Sequence, residues 1–205
     1  MSALSETVSA QHDPYFVQKV RVTTRLAGRS RISVFAEMCK GKRVLHVGCA
    51  DWPITKSENS IHVQLEPHCA ELDGIDLHKG ALAMLRPHVG GKLTSRWEDV
   101  RGPYDLVLVP EVLEHVPSVK AFLHTLRGIE TERVVITVPD AASCAEAHFH
   151  YDAAAEEFTE IVHPDHHCWF TPYTFVNTVS RYTGWQLQGE LAFFNRISLL
   201  GVFRP

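Results

Sequence analysis

The chain has 205 residues, of which 45% are hydrophobic and 21% are charged, as is usual for a soluble globular protein. Its formal net charge is −4, so the chain lacks the dominant basic field that a large nucleic-acid interface needs. No apolar run approaches the length of a membrane span. The length is that of one domain, residues 1–205. The charge and the absence of a long apolar run predict that the protein has no nucleic-acid or membrane partner.

The five cysteines are an odd number and form no C-x-x-C pair, which is typical of reduced thiols. The first residues have neither the basic start nor the hydrophobic stretch of a signal peptide. We therefore expect a cytoplasmic protein.

The pattern of apolar residues predicts an N-terminal helical segment over 14–38, with Gly28 as a break. Strand and helix signals alternate after it, and a histidine-rich insert covers about 141–171. The alternation predicts an α/β fold with a doubly wound, mostly parallel, seven-stranded sheet, helices on both faces and an antiparallel edge hairpin. The predicted strands lie near 43–47, 72–76, 92–95, 104–109, 133–138, 185–190 and 197–203, and the predicted helices near 61–70, 79–88, 118–128 and 172–182.

Three of these strands end in residues suited to a ligand. The first runs into a tight turn at Gly48, where the backbone can approach a bound molecule closely. The second ends in Asp76, and an acid at that place can accept hydrogen bonds from two ribose hydroxyls. The third runs straight into Glu111. Together they predict a nucleoside-cofactor pocket at the carboxyl ends of the strands.

Three segments resemble class I S-adenosylmethionine-dependent methyltransferases: Val44-Leu-His-Val-Gly-Cys, Gly74-Ile-Asp-Leu and Tyr104-Asp-Leu-Val-Leu-Val-Pro-Glu-Val-Leu-Glu-His-Val. The third is most similar to the small-molecule branch that includes ubiquinone-biosynthesis-type enzymes. The resemblance implies a Rossmann-like methyltransferase fold, S-adenosylmethionine as cofactor and S-adenosylhomocysteine as product. A nicotinamide cofactor would instead need G-x-G-x-x-G after the first strand, which Gly48-Cys-Ala-Asp-Trp-Pro does not supply.

The chain departs from the family in its first loop, where His46 replaces an acid and Ala50 and Trp52 replace small residues. His46 either contacts the methionine part of the cofactor or orients the loop. Glu98 and Asp99 are alternatives for the acid that meets the adenine amino group. The cofactor-binding residues implied by the resemblance are His46, Gly48, Cys49, Ala50, Asp76, Leu77, Glu98, Asp99, Pro110 and Glu111.

Thirteen histidines are many for this length, and five of them lie at 148, 150, 163, 166 and 167. Imidazole titrates near neutral pH, so His163 or His166 is suited to take a proton from the methyl acceptor. Imidazoles with Asp165 and Cys168 could also bind a metal, or the histidines could only stabilise a long loop. No metal ligands are assigned, and the candidate catalytic residues are His163, His166 and His115.

These features favour an S-adenosylmethionine-dependent methyltransferase that acts on an O or N atom of a small polar metabolite. The alternative is a cofactor-binding but catalytically inactive partner subunit or sensor, which the altered loop at His46, Ala50 and Trp52 motivates. The expected partner is a small-molecule substrate, and a homodimer is compatible with the sequence.

Overall fold

A computed structural model describes residues 17–50 and 56–205. Within them, the chain forms eleven strands and six α-helices. The strands are β1 (Val22–Leu26), β2 (Arg43–Val47), β3 (Glu71–Ile75), β4 (Leu93–Thr94), β5 (Leu106–Pro110), β6 (Val134–Pro139), β7 (Phe149–Asp152), β8 (Glu157–Glu160), β9 (Gln186–Leu187), β10 (Leu191–Phe194) and β11 (Ser198–Arg204). The helices are α1 (Arg31–Cys39), α2 (Ile61–Leu65), α3 (Lys79–Leu85), α4 (Val119–Arg127), α5 (Ala141–His148) and α6 (Pro172–Thr183).

The main sheet has nine strands in the described part of the chain, in the order β1-β10-β11-β6-β5-β2-β3-β4, with β9 paired to β11. Neighbouring strands are parallel except where β11 pairs with β6, β9 and β10. The predicted α/β fold with a mostly parallel sheet is confirmed. The sheet has two strands more than the seven predicted: β1 lies in the segment predicted to be helical, and β10 follows the strand predicted at 185–190, of which only β9 forms. β7 and β8 form a separate hairpin.

The segment predicted as helical, 14–38, contains a strand. Val22–Leu26 pairs in parallel with β10 and so places the predicted antiparallel hairpin one strand inside the edge. β-Branched Val22, Thr23 and Thr24 favour this conformation. A helix follows only from Arg31, where the Ser30 side chain caps it, and residues 14–16 of the predicted segment lie outside the described residues.

Both faces of the sheet are buried, as the alternation along β5 illustrates. Leu106 and Leu108 belong to the apolar cluster that α1 and α2 cover. Val107 and Val109 belong to the cluster under α4 and α6, because successive side chains of a strand point to opposite faces. All five residues of β5 are buried, as expected for a parallel strand covered on both sides.

Several helix ends follow simple local chemistry. The helices predicted at 61–70 and 79–88 stop at Leu65 and Leu85, and the chain continues as short 3₁₀ turns containing Pro67 and Pro87. Proline lacks the N–H group that an α-helix would use at these positions. Thr171 caps α6, since its side chain accepts a hydrogen bond from the Thr174 N–H in a capping box.

Candidate active site

The loop after β2 lies directly on the turn after β5, at the place where the strand order of the sheet reverses. Gly48 has a φ of +73°, and a Cβ atom there would lie 2.7 Å from Cγ2 of Val112. A larger residue would therefore meet both backbone strain and a steric overlap. In open α/β sheets this crevice, at the carboxyl ends of the strands, is where ligands bind.

Asp76 joins the two loops that border this crevice. Its Oδ2 accepts a hydrogen bond of 3.1 Å from the Ala50 N–H, and its Oδ1 accepts one of 2.8 Å from the His78 N–H. Each carboxylate oxygen keeps a second lone pair for another donor. Asp76 is half-buried, so its carboxylate remains within reach of a ligand.

The structure separates His46 from the other predicted site residues. Its ring is fully buried and stacks on His62 of α2, with the two Nδ1 atoms 3.2 Å apart. Burial lowers the pKa of His46 well below its ordinary value and lowers that of His62 to about 4. The sequence left two roles open for His46, and this enclosure favours orienting the loop over contacting the cofactor.

The other predicted cofactor-binding residues of the loops after β2 and β3 differ in their exposure to solvent. Cys49 and Ala50 are buried, and the backbone N–H groups of Gly48 and Cys49 both point to the Ile75 carbonyl oxygen, at 2.8 and 3.3 Å. Leu77 is 78% exposed beyond Asp76. Trp52, which the sequence singles out as a departure from the family, lies outside the described residues.

Glu98 and Asp99 occupy a short 3₁₀ turn after β4 and have different surroundings. Glu98 is exposed and lies 3.4 Å from Nε of Arg96. Asp99 is less exposed, and its Oδ2 accepts a hydrogen bond of 3.4 Å from the Thr94 hydroxyl at the end of β4. The carboxylate directed towards the strand end is therefore that of Asp99.

The turn after β5 begins with a strained residue. Pro110 ends the strand, and Glu111 has a φ of +52°, which is uncommon for any residue other than glycine. The Glu111 N–H donates hydrogen bonds to the carbonyl oxygen and the hydroxyl of Thr137, at 3.0 and 3.2 Å. Such strain is concentrated at functional sites, where the surrounding structure holds it in place.

The three histidines predicted to be catalytic lie together. The ring of His115 packs edge to face against those of His163 and His166, with centroids 5.3 and 4.6 Å away. The loop that carries the last two is tied to the turn after β5 by a 2.7 Å hydrogen bond from the His167 N–H to the Glu114 carbonyl oxygen. We call His115, His163 and His166 the histidine cluster.

Burial controls the charge of this region. It lowers the pKa of His115 to about 4, and the neighbouring imidazoles of His166 and His163 act in the same direction. Burial also lowers the pKa of His166. The pKa of the Glu114 carboxyl is well above its ordinary range because of burial and the nearby Glu111. Near neutral pH the imidazoles of His115 and His166 are therefore uncharged.

Aromatic side chains border the histidine cluster on one side. The Trp169 ring packs against those of His166 and Phe149, with centroids 5.3 and 5.0 Å away, and its indole N–H donates to a Glu160 carboxylate oxygen. The adjoining β7–β8 hairpin exposes the rings of Tyr151 and Phe158. This part of the predicted insert thus forms a partly apolar wall beside the imidazoles.

Two buried residues of this region were not among the predicted site residues. Glu114 lies next to His115 and is 1% exposed, and the Glu-x-x-Glu-His spacing after a buried strand was the available signal. His62 pairs with His46, and nothing in the sequence links two histidines 16 positions apart on a strand and a helix.

No protein-family model and no curated protein sequence matches the chain. Solved structures do match: an S-adenosylmethionine-dependent methyltransferase from Mesorhizobium loti has a TM-score of 0.56 and 17% identity, over 85% of this chain and 95% of that one. The chain has the class I methyltransferase fold.

Two further structures share the class I methyltransferase fold with this chain. Magnesium protoporphyrin IX methyltransferase (ChlM) from Synechocystis PCC 6803, with bound S-adenosylhomocysteine, has a TM-score of 0.58 and 12% identity over 85% of this chain and 82% of that chain. A chain of the Pnkp1/Rnl/Hen1 RNA repair complex has a TM-score of 0.56 and 16% identity over 90% of this chain and 43% of its own length. Among the described residues, no helix of this class I fold is both long and apolar enough to cross a membrane.

Proposed function

We propose that the protein is a methyltransferase that moves the methyl group of S-adenosylmethionine to an O or N atom of a small polar metabolite and releases S-adenosylhomocysteine. The observation that carries the proposal is the contact between Gly48 and Val112. It joins the loop expected to hold the cofactor to the turn that bears His115, so a methyl donor and a proton acceptor would be neighbours.

The residues at the crevice fit the parts of this cofactor. Asp76 would accept hydrogen bonds from the ribose hydroxyls through the lone pairs that Ala50 and His78 leave unused. Asp99 suits the adenine amino group better than Glu98, because it lies closer to the end of β4. The cofactor supplies an activated methyl group, so the protein mainly contributes orientation and proton transfer.

The histidine cluster would serve the acceptor side of the reaction. Its rings lie between the turn after β5 and the aromatic wall at Trp169, where a polar molecule could be held. A positioned base contributes about 10²–10⁴-fold to a step that removes a proton. His163, His166 and His115 remain the proposed catalytic residues.

A small molecule is the proposed acceptor because the net charge of −4 is unfavourable for binding a polyanion. ChlM, which shares the fold, is by its name a methyltransferase of a small molecule. The similar chain of the RNA repair complex makes RNA the acceptor class to test against it. The cytoplasmic location and the homodimer stay predictions.

Two measurements test the proposal. Calorimetric titration with S-adenosylmethionine and S-adenosylhomocysteine should give saturable binding of both. Incubation with methyl-labelled cofactor should then label a compound in a small-metabolite extract and leave total RNA unlabelled. Binding without any labelled product would favour the inactive partner subunit or sensor, and absence of binding would contradict the proposed cofactor.

A further inference from the structure

Three side chains of the type that binds metal ions converge beside the crevice. Glu114, His115 and His166 each offer one ligand atom, and these atoms all lie within 4.8 Å of one another. Oε1 of Glu114 is 3.8 Å from Nε2 of His115, and the rings of His115 and His166 have centroids 4.6 Å apart. One ion could therefore contact all three after small side-chain adjustments.

Three polar atoms of this group, on Glu114 and His166, are buried and have no hydrogen-bond partner among the described residues. Neither carboxylate oxygen of Glu114 has a hydrogen-bond partner among the described residues, although the side chain is only 1% exposed. Nδ1 of His166 is likewise buried and unpartnered within the described part of the chain. Burying a polar group without a partner is costly, and buried acids are normally paired or coordinate a metal. These orphaned atoms are an independent sign that the group has a ligand.

Two separate segments of the chain, each held by backbone hydrogen bonds, carry the three residues. Glu114 and His115 belong to the turn after β5, which a 3.0 Å hydrogen bond from the His115 N–H to the Val112 carbonyl oxygen closes. His166 comes from a loop anchored by the hydrogen bond from the His167 N–H to the Glu114 carbonyl oxygen. The same loop ends at Phe170, which bridges to Asp140 at the end of β6. The group is therefore preorganised by backbone contacts.

We propose that Glu114, His115 and His166 bind one divalent transition-metal ion. Two imidazoles and one carboxylate suit zinc, manganese or iron(II), and three protein ligands leave coordination positions open. The ligands predicted from the sequence as one alternative, Asp165 and Cys168, are not part of this group. Asp165 is exposed and its Oδ2 lies 3.9 Å from Nδ1 of His163, whereas the carboxylate that converges with His115 and His166 is that of Glu114.

The open positions suggest what the ion does, and this step rests on the proposed methyl transfer. A hydroxyl group of the acceptor would occupy an open position, which lowers its pKa and fixes its direction. The hydroxyl loses its proton to His163, the one member of the histidine cluster that is not a ligand of the ion. Its oxygen then forms the new O–CH₃ bond as the sulfur–methyl bond breaks, which leaves S-adenosylhomocysteine. The site thus favours an oxygen acceptor over a nitrogen acceptor.

Manganese titration tests the site directly. Chelator-treated protein is titrated with Mn²⁺, and the paramagnetic resonance signal of free Mn²⁺ reports binding, with Zn²⁺ added as a competitor. We expect one equivalent bound by the native protein and affinity at least about tenfold weaker in His166→Ala and Glu114→Gln. His124→Ala, which removes an exposed histidine of α4, should bind like the native protein. Unchanged affinity in His166→Ala, or an equal loss in His124→Ala, would overturn the site.

Parallel titration with S-adenosylmethionine separates the two proposals. The His166→Ala and Glu114→Gln variants should keep native cofactor affinity, which also shows that they are folded. Mn²⁺ binding without cofactor binding would reject the proposed function and keep the metal site. Cofactor binding without Mn²⁺ binding would reject the metal site and keep the proposed function. Once an acceptor is known, unchanged turnover after chelation would overturn the role of the ion in the reaction.

Discussion

The Ala50 N–H donates a hydrogen bond of 3.1 Å to Oδ2 of Asp76 and so ties the loop after β2 to the loop after β3. The other carboxylate oxygen of Asp76 accepts from the His78 N–H at 2.8 Å, just ahead of α3. The acid expected to bind the ribose therefore also positions the loop expected to lie along the rest of the cofactor. Its structural and ligand-binding roles need separate variants to resolve.

Two replacements of Asp76 should weaken the binding of S-adenosylmethionine to different degrees. Asp76→Asn keeps one oxygen acceptor, whereas Asp76→Ala removes both the ribose contact and the tie between the loops. We expect calorimetric affinity to fall by more than about tenfold in Asp76→Ala, or roughly 1.4 kcal/mol, with Asp76→Asn in between. Glu71→Ala, at the opposite end of β3, should bind normally. Native affinity in Asp76→Ala would refute the ribose role.

Substitution of Gly48 should destabilise the protein for two separable reasons. Gly48→Ala places a side chain at a φ of +73°, which costs about 1–2 kcal/mol, and adds a contact of 2.7 Å with Cγ2 of Val112. Val112→Ala removes that methyl group. Urea unfolding should therefore show that Gly48→Ala loses less stability in a Val112→Ala background than in the native one. An equal loss in both backgrounds would mean that the steric contact contributes nothing.

The buried pair of His46 and His62 should make stability depend on pH. Burial holds the pKa of His62 at about 4, below the value of about 6.5 expected in the unfolded chain, and Asp73 opposes this shift. Between these values the unfolded chain binds more protons, so the free energy of unfolding decreases as the pH falls from 7 to 5. The contribution of one such histidine over this range is about 2 kcal/mol.

Urea unfolding at pH 5, 6 and 7 measures this contribution. His62→Gln cannot titrate and should show a shallower dependence on pH than the native protein. His68→Gln, which removes an exposed histidine three residues after α2, should retain the native dependence. If the free energy of unfolding of His62→Gln changed with pH as much as that of the native protein, His62 would not be protonated on unfolding.

The hydrogen bond between Tyr104 and Asp73 should contribute measurably to stability. The Tyr104 hydroxyl donates to Oδ2 of Asp73 at 2.8 Å, and the Lys92 N–H donates to Oδ1 at 3.0 Å. Tyr104→Phe leaves one oxygen of a buried carboxyl without this donor, which costs about 1–3 kcal/mol. Equilibrium urea unfolding checks the loss, and Tyr151→Phe, on the exposed β7–β8 hairpin, should be neutral. A neutral Tyr104→Phe would indicate that water replaces the hydroxyl.

The parts of the fold that follow from local pattern could be predicted from the sequence. The buried runs at β2, β5 and β6 are rich in Val, Leu and Ile, and their alternation with helices predicts the parallel sheet. The strand Val22–Leu26 could not be recognised in this way. Its identity depends on pairing with β10, which lies more than 160 residues later in the chain, and pairing partners are invisible to a local pattern.

The site shows the same division between local and distant information. Gly48, Asp76 and Glu111 lie at strand ends, where the fold itself concentrates ligands, so their placement could be anticipated. The Glu-x-x-Glu-His spacing marks Glu114, but its proposed role as a ligand could not be anticipated, because that role depends on His166 on a different segment. The enclosure of His46 depends on His62 of α2, which again is a matter of packing between distant elements.

The hydrogen bond from the His167 N–H to the Glu114 carbonyl oxygen also predicts where the protein opens first. It ties an exposed loop to a buried turn, whereas the strands beneath are covered on both faces. Local opening of that loop would scatter the imidazoles and leave the sheet intact. The His167 amide should therefore exchange its hydrogen for deuterium faster than those of β5, and any ligand of the imidazoles should slow that exchange. This single amide is a reporter of site assembly that needs no knowledge of the substrate.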